Sequence, residues 1–191
     1  MSYIQTLKRI REGRTDYRKR KAILLGKHVF ATVRISDENV IVQISKASIN
    51  GDIVLASAHS RELLKYGWKG SRKCIPACYL TGLLAGKKAK ALGIDGCIMY
   101  VGLRGFSSRI GACAKGIIDA GLVVPTGDYA LPDEDRITGK YIADYAEMLK
   151  EEDEELYSKR FSAILARGLR PEDYIKHFNE VKDNIMRGAG N

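Results

Sequence analysis

Val29-Phe-Ala-Thr-Val-Arg-Ile35 decides the fold. Val29, Ala31, Val33 and Ile35 point one way while Phe30, Thr32 and Arg34 point the other, which is the period of a strand and not of a helix. Asp37-Glu-Asn39 is a turn, and Val40–Ile44 reads as the returning strand. Asn50-Gly51 is the next hairpin signal, and Ile53–Ser57 follows as a third strand. Three short antiparallel strands in succession make a meander.

Outward from these strands the period changes. Pro76 suits the first turn of a helix, Leu80, Leu84 and Ala91 recur at helical spacing, and Gly93 closes it. Gly82 and Gly86 lie four apart on one face and admit a neighbouring backbone. Cys97–Val101 is a short apolar strand, Ser108–Ala120 a second helix capped by Gly121, and Leu122–Val124 a final strand. The fold class is therefore α/β: an antiparallel meander followed by α-β-α-β, with a mixed sheet. Pro125, Gly127 and Pro132 end this unit. Helices follow around Gly139–Lys150, Leu156–Ala166 and Pro171–Met186. Residues 1–27 lack a long apolar stripe and read as an extended arm with a short helix through Asp16–Leu25. The predicted organisation is a basic arm at 1–27, a core at 28–126 and an acidic helical extension at 127–191.

Length and composition set the function classes. A chain of 191 residues with 45% apolar content has material for a sizeable core. Lys+Arg 32 against Asp+Glu 23 leaves a net charge of +9, which points to a polyanion as partner. No stretch has the roughly 18 apolar residues of a membrane span, and no apolar core follows the N-terminal charges as in a signal peptide. A soluble, cytoplasmic protein is expected. Cys74, Cys78, Cys97 and Cys113 lack the paired spacing of a zinc site and read as buried, reduced thiols.

The charge is unevenly spread. Residues 1–34 hold ten bases and two acids, and residues 61–118 hold eleven bases and two acids. Residues 128–160 reverse the sign, with five bases against eleven acids, five of them consecutive from Glu151 to Glu155. One face on a polyanion and another turned elsewhere would produce such a division. The acidic run is a solvated helix face or a dock for a basic protein.

Three basic constellations follow. In the arm, Tyr3 and Tyr17 are interleaved with the bases, a mixture in which rings stack on unpaired bases and guanidinium groups take phosphates. A solvated tail and a membrane-surface segment are its other readings. Gly102-Leu-Arg-Gly-Phe-Ser-Ser-Arg-Ile-Gly111 joins a strand to a helix: it is either a plain turn or a phosphate clamp using Arg104, Ser107, Ser108 and Arg109. It is not a Walker loop, since no Gly-Lys-Ser/Thr closes it. Lys65, Lys69, Arg72 and Lys73 surround Tyr66 and Trp68 in a glycine-bounded loop, with Trp68 either a packing anchor or part of a contact surface.

Catalysis has little to work with. His28, His59 and His177 lie in separate segments with no nucleophile to pair with. Asp95 and Asp119 sit near helix ends, and a metal-dependent nuclease needs several convergent carboxylates. No catalytic residue, metal or cofactor is expected. The rivals to an RNA binder are a ribonuclease-H-like nuclease or nucleotide-dependent enzyme using the 102–111 turn, and a basic adaptor at anionic membranes.

Taken together, particular stretches are recognisable. Arg11-Glu-Gly-Arg-Thr-Asp-Tyr17 with Arg18 to Lys21, Ala58-His-Ser-Arg-Glu-Leu63, Tyr66-Gly-Trp-Lys-Gly70 and Ala77-Cys-Tyr-Leu-Thr-Gly-Leu-Leu84 occur in order. Ala114-Lys-Gly116, Asp119-Ala-Gly-Leu-Val-Val-Pro125, Leu149-Lys-Glu-Glu-Asp153, Phe161-Ser162 and Pro171-Glu-Asp-Tyr174 continue the series. In these the chain resembles the L-eighteen family of large-subunit ribosomal proteins, the universal 5S rRNA binders, in its archaeal branch. It departs from the family pattern at Tyr100, where relatives usually carry Asp, and at Gly111, where they carry a bulkier residue.

The resemblance implies a ribonuclease-H-like core used for binding, in the large ribosomal subunit, without enzymatic activity. It implies an arm laid along 5S rRNA, attachment of that RNA to 23S rRNA in the central protuberance, and neighbouring large-subunit ribosomal proteins as further partners. No membrane partner is implied. By position, the RNA contacts are Arg9, Arg11, Arg14, Tyr17, Arg18, Lys19, Arg20 and Lys21 in the arm, Lys69, Arg72 and Lys73 in the basic loop, and Arg104, Ser107, Ser108 and Arg109 in the glycine-rich turn.

Overall fold

The alternation around Val29–Ile35 builds a four-stranded mixed sheet. In the computed structural model, which describes residues 5–103 and 105–188, β1 (Val29–Ile35) pairs antiparallel with β2 (Val40–Lys46), and β2 pairs antiparallel with β3 (Ile53–His59). β1 also pairs in parallel with β4 (Ile98–Met99), giving the order β3-β2-β1-β4. The register sets Val29 opposite Lys46 and Ile35 opposite Val40. Ala31, Val33, Val42, Ile44, Ala56 and Ala58 are consequently buried in the main core, while Thr32 and Arg34 take the opposite face.

Two helices cover the core face: α3 (Ile75–Ala91), started by Pro76, and α4 (Ser108–Asp119). They cross through glycines. A methyl group at Gly82 would run into the Cys113 carbonyl, and one at Gly116 into the Tyr79 carbonyl. Such close approach needs residues without Cβ.

Two expectations need correction. Leu122–Val124 is not a strand: Val123 makes only a parallel bridge to Gly96, with the Cys97 N–H donating to the Val123 oxygen at 3.0 Å and the Val123 N–H to the Asp95 oxygen at 2.8 Å. Leu122 and Val124 are buried, which accounts for the apolar run, but Pro125 removes the next donor. The arm carries the short helix expected at Asp16–Leu25 and, against expectation, a further one. It forms α1 (Lys8–Arg11) and α2 (Tyr17–Gly26). The Asp16 carboxylate accepts from the Arg18 and Lys19 N–H groups at 3.0 and 3.2 Å, an N-cap that starts a helix whose only buried residue is Ile23.

The remaining segment adds α5 (Glu134–Thr138), α6 (Lys140–Glu152), α7 (Glu154–Leu165) and α8 (Tyr174–Arg187). Ile137, Leu169, Tyr174, Phe178, Val181 and Ile185 join the core under the sheet, whereas Ala146, Leu149, Tyr157 and Phe161 form a smaller cluster of their own. The acidic run is a break between helices. Asp153 ends α6 and caps α7, its carboxylate accepting from the Leu156 N–H at 2.9 Å, and Glu154 and Glu155 occupy a first turn that favours negative charge.

Trp68 is a packing anchor. It is buried, stacks on His177 with ring centroids 5.2 Å apart, meets Tyr174 edge-on at 5.6 Å, and donates from Nε1 to the Ser71 carbonyl at 3.2 Å. Lys87 Nζ donates to the Ile185 and Met186 carbonyls, both at 2.6 Å, and so ties the last turn of α8 to α3.

Candidate nucleic-acid interface

The arm contains both committed and available cations. Arg20 is committed: its guanidinium grips the Asp52 carboxylate at 2.5 and 2.7 Å and reaches the Ser48 carbonyl at 3.4 Å. This bidentate pair pins α2 to the β2–β3 connection. Lys19 Nζ donates to the Gly102 carbonyl at 3.1 Å, joining α2 to the glycine-rich turn. Arg14 pairs with Glu12 at 3.0 Å, and Arg9 donates to the Thr15 hydroxyl at 2.8 Å. Arg11, Arg18 and Lys21 are exposed, with no acid partner among the described residues. Tyr17 is exposed at the start of α2.

Arm and sheet face each other. Gly13 and Arg14 share a hollow of about 370 Å³ with Thr32 and Arg34 of β1 and with Tyr100, Gly102 and Leu103 of the turn. Tyr100 packs its ring edge-on against Phe30 at 5.7 Å. An aspartate there would leave Phe30 without that aromatic partner, so Tyr100 serves packing on this face of the sheet.

The basic loop is split. Arg72 pairs with Glu38 of the β1–β2 turn at 3.3 Å. The Lys69 N–H donates to His177 Nε2 at 3.0 Å and its Nζ to the Gly168 carbonyl at 3.4 Å. Arg167 returns the contact from the other side, donating to the Gly70 carbonyl at 2.9 Å. Lys73 is exposed and lines a hollow of about 660 Å³ together with Arg109 and Arg136. The structure thus brings the loop and the α4 end of the turn into one cavity. Ser107 and Ser108 are exposed at the start of α4. Tyr3 and Arg104 lie outside the described residues.

Arg136 escaped sequence reading because it stands in an acidic stretch, between Asp135 and Ile137. The tertiary fold carries it to the basic loop. Gly111 has a packing reason: a methyl group there would meet the Ala130 carbonyl. Its absence lets the 127–132 segment lie on α4.

No catalytic arrangement emerges among the described residues, where no group of three His, Cys, Asp or Glu side chains is disposed to hold a metal. Asp119 accepts from the Tyr79 hydroxyl at 2.7 Å and pairs with Lys115 at 3.2 Å, and Asp95 pairs with Lys90 at 3.2 Å. His59 accepts from the Arg61 N–H and caps a 3-10 turn at Ser60–Tyr66. Burial lowers the pKa of both His59 and His177 and pushes the Cys74 and Cys97 thiols up to about 11, which keeps them protonated and poor nucleophiles. Among the described residues no helix is long and apolar enough to cross a membrane.

Comparison with known proteins agrees with a non-catalytic chain. Residues 2–99 match the family described as "Ribosomal large subunit proteins 60S L5, and 50S L18". The "Large ribosomal subunit protein uL18" of Thermofilum pendens is 49% identical over 185 residues, covering 96% of this chain and 94% of the relative. That of Saccharolobus solfataricus is 47% identical, covering 96% and 93%, and that of Ignicoccus hospitalis 48%, covering 94% and 89%. The chain belongs to the uL18 family of large-subunit ribosomal proteins, structural constituents of the large ribosomal subunit and not enzymes.

Proposed function

We propose that this protein binds 5S rRNA and helps attach it to 23S rRNA in the central protuberance of the large subunit. The observation that carries the reading is the joint between arm and turn: Lys19 donates to the Gly102 carbonyl, which sets the α2 bases beside the start of the glycine-rich turn. Arg11, Arg18 and Lys21 contact phosphates directly, with Arg9, Arg14 and Lys19 beside them, and Tyr17 stacks or packs locally. Arg20 serves by holding α2 against Asp52. Lys69, Arg72, Lys73, Arg104, Ser107, Ser108 and Arg109 add contacts from the loop and the turn. The acidic helical segment faces neighbouring large-subunit proteins, whose basic surfaces it complements.

The core reading is ribonuclease-H-like. The order β3-β2-β1-β4 supports it, as does the Val123 bridge beside the chain entering β4. The test is a titration of the whole protein with 5S rRNA and a length-matched scrambled RNA, across a salt series with excess tRNA. Saturable preference for 5S rRNA that survives the competitor is the expected result. Equal, steeply salt-dependent binding to both RNAs would reduce the protein to a general polyanion binder.

A further inference from the structure

The 660 Å³ hollow has a neighbour. Phe106, Ser107, Ser108 and Tyr129 line a second hollow of about 640 Å³, and Arg136 and Asp133 line both. The two hollows therefore adjoin at Asp133 and Arg136, between the basic loop, the start of α4 and the segment leading to α6. Three aromatic rings stand along them unused by either hydrophobic cluster: Phe106 at 45% exposure, Tyr141 at 56% and Tyr129 at 98%. Three cations stand among them. The side chains of Lys73, Arg109 and Arg136 make no hydrogen bond or ion pair within the described residues, although the chain elsewhere commits Arg20 to Asp52, Lys88 to Glu62 and Lys150 to Glu172. Asp133 is an acid in the lining, outnumbered by the three bases.

Solvent-facing rings beside cations with unpaired side chains, lining adjoining hollows, are what successive unpaired nucleotides require, the rings for base faces and the cations for phosphates. A duplex keeps its bases stacked inside and would leave the rings idle. We propose that the adjoining hollows form a groove that holds a short single-stranded RNA segment, with Phe106, Tyr129 and Tyr141 as stacking platforms and Lys73, Arg109 and Arg136 on the phosphates. The inference rests on the RNA-binding reading above and deepens it: it gives the loop and turn bases Lys73 and Arg109, together with Arg136, a single-stranded ligand.

The probe is a six-nucleotide oligouridine carrying 5-bromouridine, a length within the site size of about 4–16 nucleotides typical of such tracks, titrated into the whole protein and photocross-linked. Saturable binding is expected, with cross-links at Phe106, Tyr129 or Tyr141. Tyr141→Ala should weaken it about fivefold or more, an effect typical of losing one stacked base, and Tyr141→Phe should not. The double change Arg109→Ala and Arg136→Ala should weaken it further, while Lys46→Ala, at an exposed base of β2 outside arm and groove, should leave it unchanged. All these side chains are exposed or line the groove, and unchanged melting temperatures will show the variants folded.

Hexamer binding that falls with Arg18→Ala and yields no groove cross-link overturns the groove and leaves the 5S rRNA reading intact. Failure of the protein to bind either hexamer or 5S rRNA overturns both. Tighter groove occupancy by a glutamate- and tyrosine-rich peptide than by the hexamer overturns the RNA assignment in favour of an acidic protein segment.

Discussion

Helices α4 and α2 are both attached to the sheet-bearing core, but by opposite means. α4 meets α3 through glycines, Cys113 and Ile117, with Ile110, Gly111, Ala112, Ala114 and Gly116 also buried. α2 buries Ile23 alone and is held by Arg20 on Asp52 and Lys19 on Gly102. Tight apolar packing of this kind is hard to separate, whereas a part-exposed ion pair contributes modestly and weakens with salt. The difference teaches that the core is held by interlocked apolar packing, while the arm is oriented but lightly held.

The sharpest way to break this contrast is to put a methyl group between α3 and α4. Gly82→Ala drives a Cβ into the Cys113 carbonyl and should cost about 3 kcal/mol or more, a fall in Tm of roughly 6–12 °C by calorimetry. Gly105→Ala, with nothing within 4 Å of the new atom, should leave Tm unchanged. Equal effects would mean that the glycine crossing is not what holds the helices.

Next in size is Arg18→Ala. Removing one phosphate contact should lower the salt slope of 5S rRNA binding by about one unit or less, and affinity by up to about fivefold near physiological salt. Titrations at several salt concentrations will read this directly, and an unchanged slope would take Arg18 out of the interface.

Asp52→Asn sharpens the contrast from the other direction. It makes the protein more positive, so a purely electrostatic arm would bind RNA better. Loss of the Arg20 anchor should instead weaken binding by about twofold to threefold, a few tenths of a kcal/mol as for a part-exposed pair. Hydrogen exchange over α2 should accelerate, with exchange over α3 and α4 unaltered.

The smallest expected effect is on pH. His177 and His59 are held below the ordinary histidine pKa chiefly by burial, Lys69 opposing and Glu180 favouring the charge on His177. The unfolded chain then takes up protons more readily than the folded one. Stability should be complete above about pH 6.5, the ordinary value, and decline as pH falls towards the lowered folded values. Thermal melts between pH 8 and 5.5 should show a slight fall in Tm, and the double variant His177→Gln with His59→Asn should flatten it.

How much of this was legible follows from the range of each signal. β1 to β3, α3 and α4 were readable because strand alternation, Pro76 and the helical apolar spacing are local. Gly82 was readable as a close-contact glycine, though its partner at Cys113 was not. The 3-10 turn at Ser60–Tyr66 was missed because its cap is His59, a residue type that seldom marks a helix start. α2 was expected as a short helix within an extended arm, since its stripe reduces to Ile23. The candidate site was legible as charge but not as availability. Arg20 and Arg18 look alike in sequence, and only the approach of Asp52, 32 positions away, separates them. Arg136, Tyr129 and Tyr141 were hidden by the acids around them, because local net charge says nothing about which side chains the fold turns towards a basic loop.

The Trp68–His177–Tyr174 stack has a consequence for synthesis. A nascent chain folds as its segments emerge, the earlier ones first. Here the largest side chain of the middle of the protein waits for partners from α8, far down the chain, and Lys87 likewise waits for the α8 carbonyls. Until those residues emerge, the indole lacks the ring partners that cover it in the folded chain. Arrival of α8, rather than of the sheet, is therefore the event that seals this core.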